Sequence, residues 1–222
     1  MNLLLTDVLR CPRCGPAFGL ILLAERMDGE RRVLDGRLGC SNCRAGYPIR
    51  GAVLDLRLSD AVEMGAEKDP PEGGTREEQA LRLAALLGLA EGKGRVAIRG
   101  PGAAAAEGVA ALAPEVELIV LAGAPGALPQ GETLNRIAAG PLLPFADGAL
   151  RGVALGAGAS REVLADALRA LAGGGRLLVD PGGPESAAAL RAAGARVLLE
   201  EEGLVVAEKM PPGAVASPLG PA

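Results

Sequence analysis

From residue 75 onward the apolar residues fall into blocks of two alternating periods. TREEQALRLAALLGLA (75–90) spaces its leucines as a helix does, and Thr75 with Glu78 forms a capping box at its start. Short apolar runs predict strands at 95–99, 116–122, 152–157, 176–180, 195–201 and 203–209. Between them, helical patterns occupy 103–112, 160–173 and 184–194, with Ser160 placed to cap the second. The stretch 123–150 carries neither period and reads as loop-rich. The last two strands meet at Gly203 and predict a hairpin. Upstream the pattern is different. LILLAE (20–25), a turn around Asp28-Gly29 and RRVLDGRLG (31–39) read as a single β-hairpin.

Two compositional breaks divide the chain. Residues 59–74, SDAVEMGAEKDPPEGG, are charged and rich in Pro and Gly, as linkers are, and residues 210–222, MPPGAVASPLGPA, read as a disordered tail. The expected organisation is a β-rich module over 1–58, the linker, and an α/β domain over 75–209. Strands alternating with helices predict a doubly wound, mostly parallel, Rossmann-like sheet covered on both faces, with an antiparallel pair at one edge.

Composition narrows the chemistry. The 222 residues contain no His, which excludes a Ser-His-Asp triad, a Cys-His pair and every His-ligated metal site. Phe18, Tyr47 and Phe145 are the whole aromatic set, so the core is packed from aliphatic side chains. The net charge of -4 is uneven: residues 1–58 carry nine Arg against six acids, and the remainder carries 14 basic and 21 acidic residues. This reads as ordinary solvated surface: the basic module could touch RNA, but the acidic bulk repels phosphate, so electrostatics do not favour a nucleic-acid protein. MNLLLTDVLR has too short an apolar run for a signal peptide, and no stretch is long enough for a membrane span. The expectation is a cytoplasmic protein without membrane contact.

All four cysteines lie in the first module, as Cys11-Pro-Arg-Cys14 and Cys40-Ser-Asn-Cys43. Each Cys-x-x-Cys pair can form a tight knuckle that points two sulfurs at one ion, and two knuckles complete a tetrahedron. The 25 residues between them exceed the usual spacer but hold the predicted hairpin. Disulfides fit a secreted chain, and a lone redox pair needs no second knuckle. Structural Zn2+ on Cys11, Cys14, Cys40 and Cys43 is the expected reading. With four thiolates and no open position, such an ion holds the fold and does no chemistry.

LLTDVLRCPRC (4–14) and CSNCRAGYPIRGAVLDL (40–56) resemble the small zinc-ribbon proteins that bind and activate class I methyltransferases. The resemblance rests on the Leu-rich turn before Cys11, the two knuckles and Tyr47-Pro48-Ile49-Arg50-Gly51. It implies a ribbon that packs on a methyltransferase through its apolar surface. The larger domain in turn resembles a class I S-adenosylmethionine-dependent methyltransferase. The stretches that carry this are VAIRGPGA (96–103), LLPFADGAL (142–150) and VLADALRALAGGGRLLVD (163–180).

In that family Gly100 and Gly102 would be the cofactor turn. Carboxylates would anchor the methionine end, the ribose diol and the adenine amine at Ile98, near Leu121–Ala122 and near Ala139. All of these residues are apolar here, and Ala104 replaces the third glycine. Glu107, Glu132 and Asp147 are the nearest acids in sequence and read as solvated surface. A dinucleotide site is no better matched, since Ala105 follows where its third glycine belongs. Arg99 reads as a surface group, or with the turn amides as an anion contact. The segment 155–160 offers no acceptor-binding motif, and no catalytic residue is assigned. The expected function is that of a pseudoenzyme: a scaffold or regulator that docks a methyltransferase or a second copy of itself. The alternative is an active methyltransferase with atypical cofactor contacts and an RNA, protein or small-molecule substrate.

Overall fold

A computed structural model describes residues 1–29, 31–58, 74–129, 133–201, 203–211 and 213. The expected linker, apart from Gly74, and most of the expected tail lie outside the described residues. The cysteine-bearing module folds as strands β1 (Ile21–Met27), β2 (Val33–Gly39), β3 (Gly46–Arg50) and β4 (Val53–Asp55). β1 and β2 pair antiparallel as the predicted hairpin, from Ile21↔Gly39 to Met27↔Val33.

Helix α1 (Arg76–Leu87) starts where the sequence says it should. Thr75 Oγ1 accepts from the Glu78 amide at 3.2 Å, and Glu78 Oε2 accepts from the Thr75 amide at 2.7 Å. It stops at Gly88, whose φ of 67° is the left-handed conformation that a helix C-terminus needs and that glycine adopts without strain. Then follow β5 (Gly94–Arg99), a 3₁₀ turn over Pro101–Ala105, α2 (Ala106–Leu112), β6 (Val116–Ala122), β7 (Asn135–Ala138) and β8 (Leu150–Leu155). The chain closes with α3 (Arg161–Ala170), β9 (Leu171–Val179), α4 (Pro184–Ala192), β10 (Ala195–Glu201) and β11 (Leu204–Lys209). The Ser160 hydroxyl accepts from the Val163 amide and caps α3 as predicted.

The strands form one eleven-stranded sheet in the order β1-β2-β3-β4-β7-β6-β5-β8-β9-β11-β10. β7 through β9 run parallel, and β11 is antiparallel to both β9 and β10. The fold is therefore the doubly wound, mostly parallel α/β arrangement, with a β-rich segment at its amino end. Side chains alternate between its faces. Val96, Ile98, Leu118 and Val120 pack under α1 and α2, while Ala97, Ile119, Leu121 and Val153 pack under α3 and α4. No helix among the described residues is long and apolar enough to cross a membrane.

Several boundaries differ from expectation. The helix read over 160–173 ends at Ala170, and β9 begins at once, through the run Gly173-Gly174-Gly175 that disfavours helix. The helix read from 103 begins as a 3₁₀ turn, and the strand read over 152–157 lies at Leu150–Leu155. The larger correction is β7, inside the stretch read as loop-rich. Four residues beginning Asn-Arg are too short and too polar to show a period. Their partners are supplied from elsewhere, by β6 on one side and β4 on the other.

That second pairing joins the module to the α/β layer. Val53↔Arg136, Leu54↔Ile137 and Asp55↔Ala138 pair in parallel, and the Leu56 amide donates to the Ala138 carbonyl at 2.7 Å. A second stitch pairs Leu9 with Phe145: the Arg10 amide donates to Pro144 at 2.9 Å and the Ala146 amide to Val8 at 2.8 Å. Met1, Leu5, Leu9, Leu38, Ile49, Leu54 and Leu56 are buried in the same apolar cluster that lies under α3 and α4. The two parts that sequence separates share one sheet and one core.

Candidate metal centre and cofactor crevice

The two knuckles are built alike. The Cys11 amide donates to Phe18 and the Gly15 amide to Cys11; the Cys40 amide donates to Ala45 and the Arg44 amide to Cys40. The residue after each second cysteine turns left-handed, Gly15 at φ 81° and Arg44 at φ 59°. The β1–β2 hairpin brings the knuckles together, because Ile21 and Gly39, which pair, lead out of one and into the other.

All four Sγ atoms lie within 4.8 Å of one another. Cys11 and Cys43 are 3.7 Å apart, and Cys14 and Cys40 are 3.8 Å apart. A disulfide needs about 2.05 Å. A tetrahedron with metal–sulfur bonds of about 2.3 Å has edges of about 3.8 Å, so the spacing fits a tetrahedral ion. This arrangement can hold a metal.

Electrostatics agree with the geometry. Burial pushes the Cys11 thiol up, but the Tyr47 hydroxyl and the amides of Cys14 and Arg13 outweigh it and hold it at about 7. At Cys43 the Ala45 amide favours the thiolate, yet burial and the other three sulfurs raise the thiol to about 11. Four sulfurs this close cannot ionise together unless a cation balances them. The Asn42 amide donates to Cys14 Sγ at 3.3 Å on the solvent side.

The second candidate lies at the carboxyl ends of the strands. Strand order reverses at β5, which has β6 on one side and β8 on the other, and open α/β sheets bind ligands in the crevice at such a point. Gly100 turns the chain there with φ 97°, which requires glycine. Gly102 does not: a Cβ there would meet Ile98 and Leu83 at 3.4 and 3.5 Å, an ordinary contact. The Ala103 amide donates to Gly100, so this turn amide is spent on the chain itself.

Around the crevice, Ile98, Leu121, Ala122 and Ala139 are all buried apolar residues. Glu107 is exposed, Asp147 is exposed and paired with Arg169 at 2.7 Å, and Glu132 lies outside the described residues. Asp180, at the end of β9, is paired with Arg82 at 3.4 Å.

Arg99 corrects the expectation of a surface group. It is only 7% exposed, and its Nη1 donates to the Pro141 carbonyl at 3.0 Å. β6 lies between β5 and β7, so this bond ties the last residue of β5 to the loop after β7 across the end of β6. Sequence carried no sign of it, because the partner is a backbone carbonyl 42 residues away.

Two other polar groups escaped the sequence reading. Asn135 is buried, accepts from the Asn2 amide at 2.6 Å and donates to Glu117 at 3.1 Å; Glu117 in turn accepts from Arg95 at 2.7 Å. Arg169 reaches the carbonyls of Leu143 and Phe145 and pairs with Asp166, whose other oxygen accepts from the Leu143 amide. Together they hold the 142–147 loop against α3. An apolar cavity of about 220 Å³, lined by Pro12, Leu56, Leu142 and Phe145 among others, lies between this loop and the first knuckle.

No protein-family profile matches the sequence, and no curated protein matches it. The chain is similar in fold to several solved structures. One is a chain of the complex between the Haloferax volcanii Trm112 methyltransferase activator and a candidate methyltransferase: 15% identity, TM-score 0.45, covering 61% of this chain and 91% of that one. Another is geranyl diphosphate methyltransferase in complex with S-adenosylmethionine, at 14% identity and TM-score 0.48, covering 68% and 96%. A third is the (4+2)-cyclase SpnF, at 17% identity and TM-score 0.48, covering 64% and 66%.

Proposed function

We propose that this chain is a zinc-ribbon protein whose methyltransferase-like layer has lost ordinary S-adenosylmethionine binding and which works through protein contacts, as a scaffold or regulator. One observation carries the reading: the positions from which carboxylates would grip the cofactor are filled by buried Ile98, Leu121, Ala122 and Ala139. A charge-assisted hydrogen bond contributes about 1.5–3 kcal/mol, and burying a hydroxyl without a partner costs about 1–3 kcal/mol. Losing the ribose carboxylate alone weakens binding by roughly tenfold to a hundredfold or more, and losing all three anchors moves an ordinary affinity to about millimolar.

Zn2+ on Cys11, Cys14, Cys40 and Cys43 would supply structure rather than reactivity, because four thiolates leave no open position. Support for protein contacts comes from the edge of the module opposite β4. β1 is an edge strand with Ile21 65% and Leu23 52% exposed, and Phe18 and Met27 are exposed beside them.

Calorimetric titration with S-adenosylmethionine and S-adenosylhomocysteine tests the cofactor claim. The expected result is no saturable heat at about a hundredfold below millimolar, and micromolar binding of either overturns it. Sedimentation velocity tests the scaffold claim, on the chain alone and mixed with candidate methyltransferases. A chain that stays monomeric and binds none of them would end that part of the reading.

A further inference from the structure

Tyr47 is the one tyrosine in the chain, and there is no tryptophan. It stands on β3, four residues beyond Cys43, with its ring facing inward beside Leu38 of β2. The side chain is only 3% exposed, yet a phenol placed in an apolar core must hydrogen-bond or lose free energy. Its hydroxyl lies 3.3 Å from Cys11 Sγ, which is equally buried. That contact is the one hydrogen bond recorded for the hydroxyl among the described residues.

The direction of this bond follows from the chemistry of the cluster. A sulfur bound to a metal ion carries no proton, so only the phenol can donate. The O–H then points at Cys11, takes up part of the charge on the thiolate, and fixes the rotamer that aims the sulfur at its three partners. Asn42 makes the analogous contact to Cys14 at the same 3.3 Å, but from an exposed position where water competes. The buried contact is the stronger of the two, because no solvent replaces it when it is lost.

We propose that Tyr47 is a positioning residue of the cysteine centre: its buried hydroxyl donates to Cys11 Sγ, raises metal affinity, and makes the sole tyrosine an internal reporter of occupancy. The proposal rests on the reading of the cluster as a metal centre. Partners that orient metal ligands typically contribute tenfold to a hundredfold in affinity. Tyr47→Phe removes the oxygen and keeps the ring, so packing is preserved.

Competition of the full-length chain against a chromophoric chelator gives the Zn2+ affinity, and substitution with Co2+ gives the sulfur-to-metal charge-transfer band. Tyr47→Phe is expected to bind about tenfold more weakly and to shift that band, whereas Asn42→Ala is expected to change both less. Equal affinity and an identical band in Tyr47→Phe overturn the role given to Tyr47. A wild-type chain that takes up neither ion overturns the metal reading beneath it, and the two failures are thereby distinguished. The near-ultraviolet absorbance of wild-type Tyr47, with and without metal, is a check that needs no variant. It is expected to change on metal removal, and an unchanged spectrum counts against the proposal.

Discussion

Stripping the metal with an excess of a strong chelator is expected to lower the thermal midpoint of the whole chain by about 8–16 °C. A ligand held at about a thousand times its dissociation constant stabilises the folded state by about 4 kcal/mol. Each kcal/mol moves the midpoint of a chain this size by about 2–4 °C. The effect reaches beyond the knuckles because Cys11 and Cys40 belong to the apolar cluster that also holds Leu54, Ile137, Leu155 and Leu168. If the module opens, β4 leaves β7, and the edge of the parallel sheet is exposed. Circular dichroism melts with and without chelator, followed by addition of Zn2+, are the measurement. A midpoint that does not move, or that Zn2+ does not restore, would contradict a structural ion.

The second large effect is expected at Phe145. Phe145→Ala should destabilise the chain by about 3–5 kcal/mol, the range for deleting a buried aromatic ring. Phe145 is fully buried, pairs with Leu9 across the seam, and is held by Arg169 through its carbonyl. The void would also be slow to close, since the ring already borders the cavity of about 220 Å³. Urea denaturation gives the number as a shift of midpoint at unchanged slope. A loss under about 1 kcal/mol would show that the surroundings collapse onto the site, and that the seam depends little on this ring.

Much of the α/β layer could be read directly because its signals are local. The Thr75–Glu78 capping box, the Ser160 cap, the hairpin at Gly203 and the strands at 95–99 and 116–122 each depend on residues a few positions apart. The four cysteines announced their cluster for the same reason: the knuckle spacing is chemistry written into consecutive residues. Sequence also placed apolar residues where cofactor anchors would stand, and they are buried at the ends of β5, β6 and β7. β7 was missed because a four-residue strand carries no periodic signal, Asn135 was missed because its partners are remote, and Arg99 was read as a surface group because its backbone partner is remote too.

By itself, then, the order of residues determined where the helices lie, the caps of α1 and α3, the two paired knuckles and the aliphatic lining of the crevice. These follow from backbone propensity and side-chain type over short spans. Only tertiary structure decided that the cysteine module continues the sheet through β4 and β7, that the Arg99 guanidinium lies across the end of β6, and that the Tyr47 hydroxyl meets Cys11. Each of those depends on two distant segments meeting in three dimensions. Burial then makes the contact matter, because a polar group withdrawn from water must take whatever partner the fold brings to it.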